Sequence, residues 1–252
     1  MDTAFIIGNG ESRNIFPIEQ LKGKGVIYGC NAIYRDHPML CDHIVAVNKD
    51  MYEELAHWHN GGKESPSIHG IDDISEWDYV CDGDSIHDLP TGLKIYRIWR
   101  GGDVKKGGRI KTNDFTEARG SGCSAVLMAA ETGIKNIIIM AFDIMGARQW
   151  EYTGTRLGEQ SREQNNIYKN TPNYPSRVSM KAYQKYEWMF QLRQITRRFP
   201  DINFYFVNRK EYITGNSFLQ HYFDQPNIKV GIYADLMRWI EGDRGGGKWR
   251  RL

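Results

Sequence analysis

Ala4-Phe5-Ile6-Ile7-Gly8-Asn9-Gly10-Glu11-Ser12-Arg13 is an apolar run that flows straight into a polar, glycine-bearing turn. A strand that breaks at once into Gly-x-Gly-x-Ser is how many α/β proteins bring backbone N–H groups up to a phosphate or nucleotide. Gly8, Asn9, Gly10, Ser12 and Arg13 are therefore expected to form a ligand-binding first loop. Arg13 has an equally simple alternative, a structural salt bridge.

Outward from that turn the pattern repeats. A helix or turn is expected over Ile15–Leu21, a second strand over Val26–Tyr28 ending at Gly29-Cys30-Asn31, and a third over His43–Val47 ending at Asn48. Ligands of open parallel sheets sit outside the carboxyl ends of the strands, so Asn9, Asn31 and Asn48 are candidates to converge on one crevice. The alternative is that each asparagine only closes a turn. Further on, Gly120-Ser121-Gly122-Cys123-Ser124 opens an apolar helix, Ala125 to Thr132, ended by Gly133. A β-branched strand, Ile137–Met140, follows and is closed by Phe142-Asp143. A helix over Lys181–Arg198, a strand over Phe204–Val207 stopping at Asn208, and an amphipathic segment at Tyr233–Ile240 complete the pattern. The expectation is one α/β domain over 1–252: a single Rossmann-like, mostly parallel sheet with helices on both faces. Irregular lid or insertion segments lie near 57–119, with a strand at Leu93–Trp99, and near 144–180; a flexible basic tail spans 242–252.

Composition removes whole classes of function. At 252 residues, 40% hydrophobic and 25% charged, the chain can build a real core. A formal charge of +2 is too mild to announce a nucleic-acid partner, which leaves local clusters to carry that reading. Cys30, Cys41, Cys81 and Cys123 have no zinc-site spacing and read as free thiols. No apolar run approaches the roughly 18 residues that span a bilayer, and no basic leader precedes the first strand. A soluble cytoplasmic protein without membrane partners is expected, and association into a homo-oligomer is compatible with the sequence.

The motifs narrow the chemistry. Gly8-x-Gly10 lacks the third glycine of the dinucleotide fingerprint, and no acidic residue ends the second strand, which disfavours a nicotinamide cofactor. No Gly-Lys-Ser/Thr is present for ATP or GTP hydrolysis. Asp82-Gly83-Asp84 suits a divalent cation but is equally an ordinary turn, so no metal and no cofactor is expected to be required. His57, His59, His69 and His87 are the loop histidines that a general base would come from. Arg97, Trp99, Arg100, Lys105 and Lys106, continued by Arg109, Lys111 and Arg119, combine cations with an aromatic. They are candidates for an acceptor or nucleic-acid surface, against the plainer reading of a solvated loop.

Taken together, Ile6-Ile7-Gly8-Asn9-Gly10-Glu11-Ser12, Gly29-Cys30-Asn31, Gly120-Ser121-Gly122 and Phe142-Asp143 resemble the bacterial sialyltransferases of glycosyltransferase family 42, especially their phage-borne relatives. The resemblance implies a GT-A-like variant fold, metal-independent, with a lid over a nucleotide-sugar donor. By matching positions it implies that Asn9, Asn31 and Asn48 hold the donor's phosphate and sugar. Ser121 and Gly122 would cradle the nucleotide, and Asp143 would close its nucleoside end. Tyr152 lies close to a tyrosine position that binds the leaving phosphate, while Ile144 occupies another; Tyr168 and Tyr174 are the substitutes. The family places a histidine base in the lid, yet Gln149 to Phe199 holds no histidine. Asp143, Glu151, Glu159 and Glu163 are the carboxylates left to activate an acceptor hydroxyl.

The expected function is thus an inverting glycosyltransferase that moves a sugar from a CMP- or UDP-linked donor to a hydroxyl acceptor, for which the resemblance implies a glycan end as the family default. Asp143, Glu151, Tyr168 and Tyr174 are its catalytic candidates. Two alternatives stay open: transfer to hydroxymethylated bases of phage DNA, and a non-catalytic nucleotide or nucleic-acid binding protein.

Overall fold

A computed structural model describes residues 1–46, 51, 54–55, 58, 87–88, 94–97, 120–143, 166–174, 182–214, 219, 223–242 and 249–250. Eight strands form one sheet: β1 (Thr3–Ile7), β2 (Val26–Cys30), β3 (His43–Ala46), β4 (His87–Asp88), β5 (Lys94–Arg97), β6 (Asn136–Met140), β7 (Asn203–Asn208) and β8 (Ile228–Ile232). Their order is β4-β5-β3-β2-β1-β6-β7-β8, and every neighbouring pair is parallel except β4 with β5. From β1 the chain steps outward through β2 to β3, then returns to the other side of β1 and steps outward through β6, β7 and β8. The reversal lies between β1 and β6, which makes their carboxyl ends the topological switch point of a Rossmann-like sheet.

Alternation along the strands divides the core in two. Ala4, Ile6, Ile137, Ile139, Phe204 and Phe206 face one layer, where they meet α1 (Ser121–Glu131) and the buried Met189, Leu192 and Ile195 of α2 (Ala182–Arg198). Phe5, Ile7, Ile138, Met140, Tyr205 and Val207 face the other, covered by 3-10 turns at Glu11–Ile15, Ile18–Leu21 and Asn31–Arg35 and by α4 (Tyr233–Ile240). A short helix, α3 (Lys210–Thr214), links β7 towards β8. Side chains of period two on strands buried on both faces explain why these segments read as continuous apolar runs.

α1 lies unusually deep because its residues are small. Nine of its eleven residues are buried, among them Cys123, Ser124, Ala125, Ala129 and Ala130. A Cβ on Gly122 would come within 2.6 Å of the Phe142 ring, so glycine lets the first turn of the helix lie on the end of β6. After the helix, Gly133 at φ 77° turns the chain into β6 without a side-chain penalty.

The expected α/β architecture is the one observed, with local differences. Ile15–Leu21 forms 3-10 turns rather than one helix, β2 runs on to Cys30, and the helix after Gly120 starts at Ser121. β8 carries only Ile-Lys-Val-Gly-Ile and was not expected; it forms because β7 presents a full ladder from Phe204 to Asn208. The tail also departs from expectation at Trp249 and Arg250. Arg250 exchanges two backbone hydrogen bonds with Val230 (2.9 and 3.0 Å), and Trp249 lies against Tyr205 over Gly231. An edge strand offers unpaired amides, and these two residues cover them. Most of the expected lid segments, 57–119 and 144–180, lies outside the described residues.

Candidate functional site

The switch point is drawn tightly together by glycine. Beyond β1, Gly8 N–H donates to the Met140 carbonyl and Gly10 N–H to the Ala141 carbonyl, both at 2.9 Å. A Cβ on Gly8 would meet the Ala141 oxygen at 2.4 Å, and one on Gly10 would meet the Asp143 carboxyl carbon at 2.4 Å. Both glycines are therefore required by protein-to-protein contact. Ala141, across from them, holds φ at 57°, a left-handed conformation that costs a residue with a Cβ about 1–2 kcal/mol. The hydrogen bond to Gly10 is what holds it there.

Past the glycines, Asp143 becomes the centre of the crevice. Its carboxylate accepts from the Ser12 amide (2.9 Å), the Ser12 hydroxyl (2.5 Å) and the Asn208 side-chain amide (3.0 Å). Ser12 Oγ also meets the Tyr233 hydroxyl at 3.0 Å. Burial raises the Asp143 pKa above the ordinary carboxylate range, while the Ser12 and Asn208 hydrogen bonds and the Arg209 charge pull against that rise. A carboxylate so placed is easier to protonate than one in water.

A second constellation lies at the ends of β1 and β2. Asn9 Nδ2 donates to the Cys30 carbonyl (2.9 Å) and the Tyr174 hydroxyl (3.3 Å), and its Oδ1 accepts from Arg13 (3.3 Å). Asn31, at φ 50°, accepts from the Ser121 hydroxyl at 2.7 Å, which ties the end of β2 to the first residue of α1. Burial pushes the Tyr174 hydroxyl up to about 12, against hydrogen bonds with Asn9, the Ala32 backbone and Asn31 that favour its charged form. Asn9 thus stitches β1 to β2, and Asn31 ties β2 to α1, roles that neither the turn reading nor the donor reading foresaw. Asn208 belongs to the same set: it ends β7 and reaches Asp143 of β6.

Arg13 makes the salt bridge that the structural alternative expects. Only 2% exposed, its guanidinium binds Asp36 and the Tyr168 hydroxyl at 3.0 Å each and lies 5.6 Å from the Tyr168 ring centre. Tyr168 and Tyr174 are buried with it, in a segment fastened by Ile167 N–H to the Asn9 carbonyl (2.9 Å) and by Arg35 Nη1 to Thr171 (2.7 Å). Arg35 is itself paired with Glu54, which also accepts from Tyr34 and Asn173. Burial works against the Glu54 carboxylate, yet the hydrogen bonds from Arg35, Tyr34 and Asn173 outweigh it and hold its pKa below the ordinary value.

The structure therefore brings together Gly8, Asn9, Gly10, Ser12, Arg13, Asn31, Ser121, Gly122, Asp143, Tyr168 and Tyr174 around the expected crevice. Their polar groups face one another more than open space: the amides of Gly8, Gly10, Ser12 and Arg13 all donate within the protein. The first loop clamps β1 to β6. Asn48, Glu151, Tyr152, Glu159, Glu163, Trp99, Arg100, Lys105, Lys106 and the Asp82-Gly83-Asp84 motif lie outside the described residues; Arg97 is the last residue of β5. Sequence reasoning missed Asn208, Arg209 and Tyr233. Asn208 carried a usable signal, an asparagine closing a strand, whereas Tyr233 and Arg209 are placed only by β8 and β7.

Among the described residues no group of three or more His, Cys, Asp and Glu is disposed to hold a metal ion, and no helix is long and apolar enough to cross a membrane. Fold and crevice together define a Rossmann-like α/β protein with a carboxylate-centred polar site at its switch point. No family model, curated protein or solved structure matches the chain.

Proposed function

We propose that this protein is an inverting glycosyltransferase that takes a CMP- or UDP-linked sugar as donor. The observation that carries the reading is the position of Asp143: a half-buried carboxylate of raised pKa at the carboxyl end of β6, in the switch-point crevice where such sheets hold nucleotides. In this mechanism the acceptor hydroxyl gives its proton to a carboxylate, Asp143 or Glu151. Its oxygen bonds to the anomeric carbon, and the nucleotide departs with the electron pair of the broken C–O bond. Asn31, Ser121 and the amino end of α1 favour the departing phosphate. The acceptor is a glycan hydroxyl or a hydroxymethylated base of DNA, the second drawing on Arg97, Trp99, Arg100, Lys105 and Lys106.

A non-catalytic nucleotide-binding protein is the second reading. It is favoured by the saturation of the Asp143 carboxylate by Ser12 and Asn208, which suits a structural clamp as well as a base. Incubation with a panel of CMP- and UDP-sugars separates the two. Slow donor hydrolysis that disappears in Asp143→Asn supports the transferase; tight nucleotide binding with no turnover of any donor replaces it with the second reading. Steeply salt-dependent DNA binding that weakens when Arg100, Lys105 and Lys106 are neutralised assigns the DNA acceptor.

A further inference from the structure

On the flank of the crevice away from α1, the ends of β1, β7 and β8 enclose a groove of about 640 Å³, within the range of small-molecule sites. Ile15, Ile167 and Ile232 give it an apolar side, with Ile15 59% exposed. Arg209, Lys210, Asn14, Glu11 and Glu211 supply its polar groups, and Tyr233 joins it to Ser12 and hence to Asp143.

Arg209 is the unusual member. Its backbone is fixed by Arg209 N–H donating to Asn208 Oδ1 at 2.7 Å, so the side chain starts from a defined point beside the Asp143 network. Its Nε is buried and has no hydrogen-bond partner among the described residues. A buried guanidinium N–H left unpaired is costly, and the geometry of that fork matches a two-oxygen anion better than any other partner. The nearby carboxylates leave that Nε unpaired: Glu11 is paired with Lys169 at 2.9 Å, Glu211 is exposed on α3, and Asp143, which feels the Arg209 charge, accepts its hydrogen bonds from Ser12 and Asn208.

We propose that this groove binds a small molecule that carries a phosphate or carboxylate group, with the Arg209 guanidinium holding the oxyanion and the isoleucines covering an apolar or ring-shaped body. The site is independent of the transferase reading, since binding here requires no sugar donor and no turnover.

The test is a calorimetric or NMR titration of the full chain with phenyl phosphate, benzoate, inorganic phosphate and acetate, with benzyl alcohol as the neutral probe. Saturable binding of phenyl phosphate or benzoate is expected, tighter than that of the bare anions; the better of the two assigns phosphate or carboxylate. Arg209→Gln is expected to weaken it about tenfold or more, and Arg209→Lys, which keeps the charge and loses the fork, to weaken it less. Because Arg209→Gln removes a half-buried group, Ile15→Asp serves as a surface variant that leaves the fold intact and sets a repelling carboxylate at the groove, again with about tenfold loss. Absence of saturable anion binding, benzyl alcohol binding as tightly as benzoate, or unchanged affinity in Ile15→Asp would overturn the proposal.

Discussion

Asp143 accepts two hydrogen bonds from Ser12, one from its amide at 2.9 Å and one from its hydroxyl at 2.5 Å, across 131 positions of sequence. The pair locks the turn after β1 onto the end of β6. Ser12→Ala keeps the amide bond and removes the hydroxyl from both Asp143 and Tyr233. A loss of about 1–2 kcal/mol in denaturant unfolding is expected, with no change in the slope of the transition.

Glycine at position 10 is required by space, and glycine at position 23 by dihedral angle. Gly10→Ala drives a Cβ to 2.4 Å from the Asp143 carboxyl carbon and 2.6 Å from the Ala141 oxygen, so roughly 3 kcal/mol of destabilisation is expected. Gly23, at φ 73°, has no described residue within 4 Å of an added Cβ, and Gly23→Ala should cost only about 1 kcal/mol. Thermal unfolding of the two variants side by side checks the ranking; equal losses would contradict the clamp.

Asn227 is buried and its Nδ2 reaches the carbonyls of Thr196, Phe199 and Ile202 at 2.9, 3.0 and 3.1 Å. One amide thereby closes the end of α2 onto the start of β7. Asn227→Ala takes this donor from all three carbonyls, of which that of Phe199 keeps the Ile202 N–H at 3.2 Å, with an expected loss of about 1–3 kcal/mol. Hydrogen exchange should quicken first at the end of α2.

The Glu54 contacts make stability depend on acid in a defined direction. Its folded pKa lies below the ordinary value of about 4.3, so its contribution is full above that value and is lost as pH falls through the lowered one. The stability gap between the parent protein and Glu54→Gln should be constant near neutrality and close progressively below about pH 4. Chemical unfolding from pH 7 to pH 3 measures it; a gap that ignores pH would mean that the contact with Arg35 carries no net charge effect.

Trp249 caps the edge of the sheet through Gly231, where a built Cβ would lie 2.5 Å from its ring. Trp249→Ala is expected to cost about 2 kcal/mol, less than a fully buried tryptophan, and to raise the tendency of β8 to pair with other chains. Light scattering on warming reads the second effect.

Much of this was legible in the chain alone. Ala4–Ile7, Ile137–Met140 and Phe204–Val207 announce themselves as strands because each is apolar on both faces, and small residues after Gly120 announce a helix laid close on a sheet. The crevice between Gly8–Gly10 and Asp143 follows from strand order, and a strand that ends in glycine or asparagine marks the carboxyl edge. β8 and the docking of Trp249 were not legible, since Ile228–Ile232 becomes a strand only against the ladder that β7 offers.

The sequence by itself determined most of the strands and the glycines and asparagines that end them, because hydrophobic period and turn chemistry are local. Whether those residues face a ligand or one another was decided only by tertiary contact. Gly10 is glycine because Asp143 needs its space, Asn9 is spent on Cys30 and Tyr174, and Arg13 is buried against Asp36 and Tyr168. Such partnerships join positions 21 to 165 residues apart, and no local pattern encodes them. The same contacts leave the Arg209 Nε unpaired beside a groove, which gives a lone arginine after a strand its meaning.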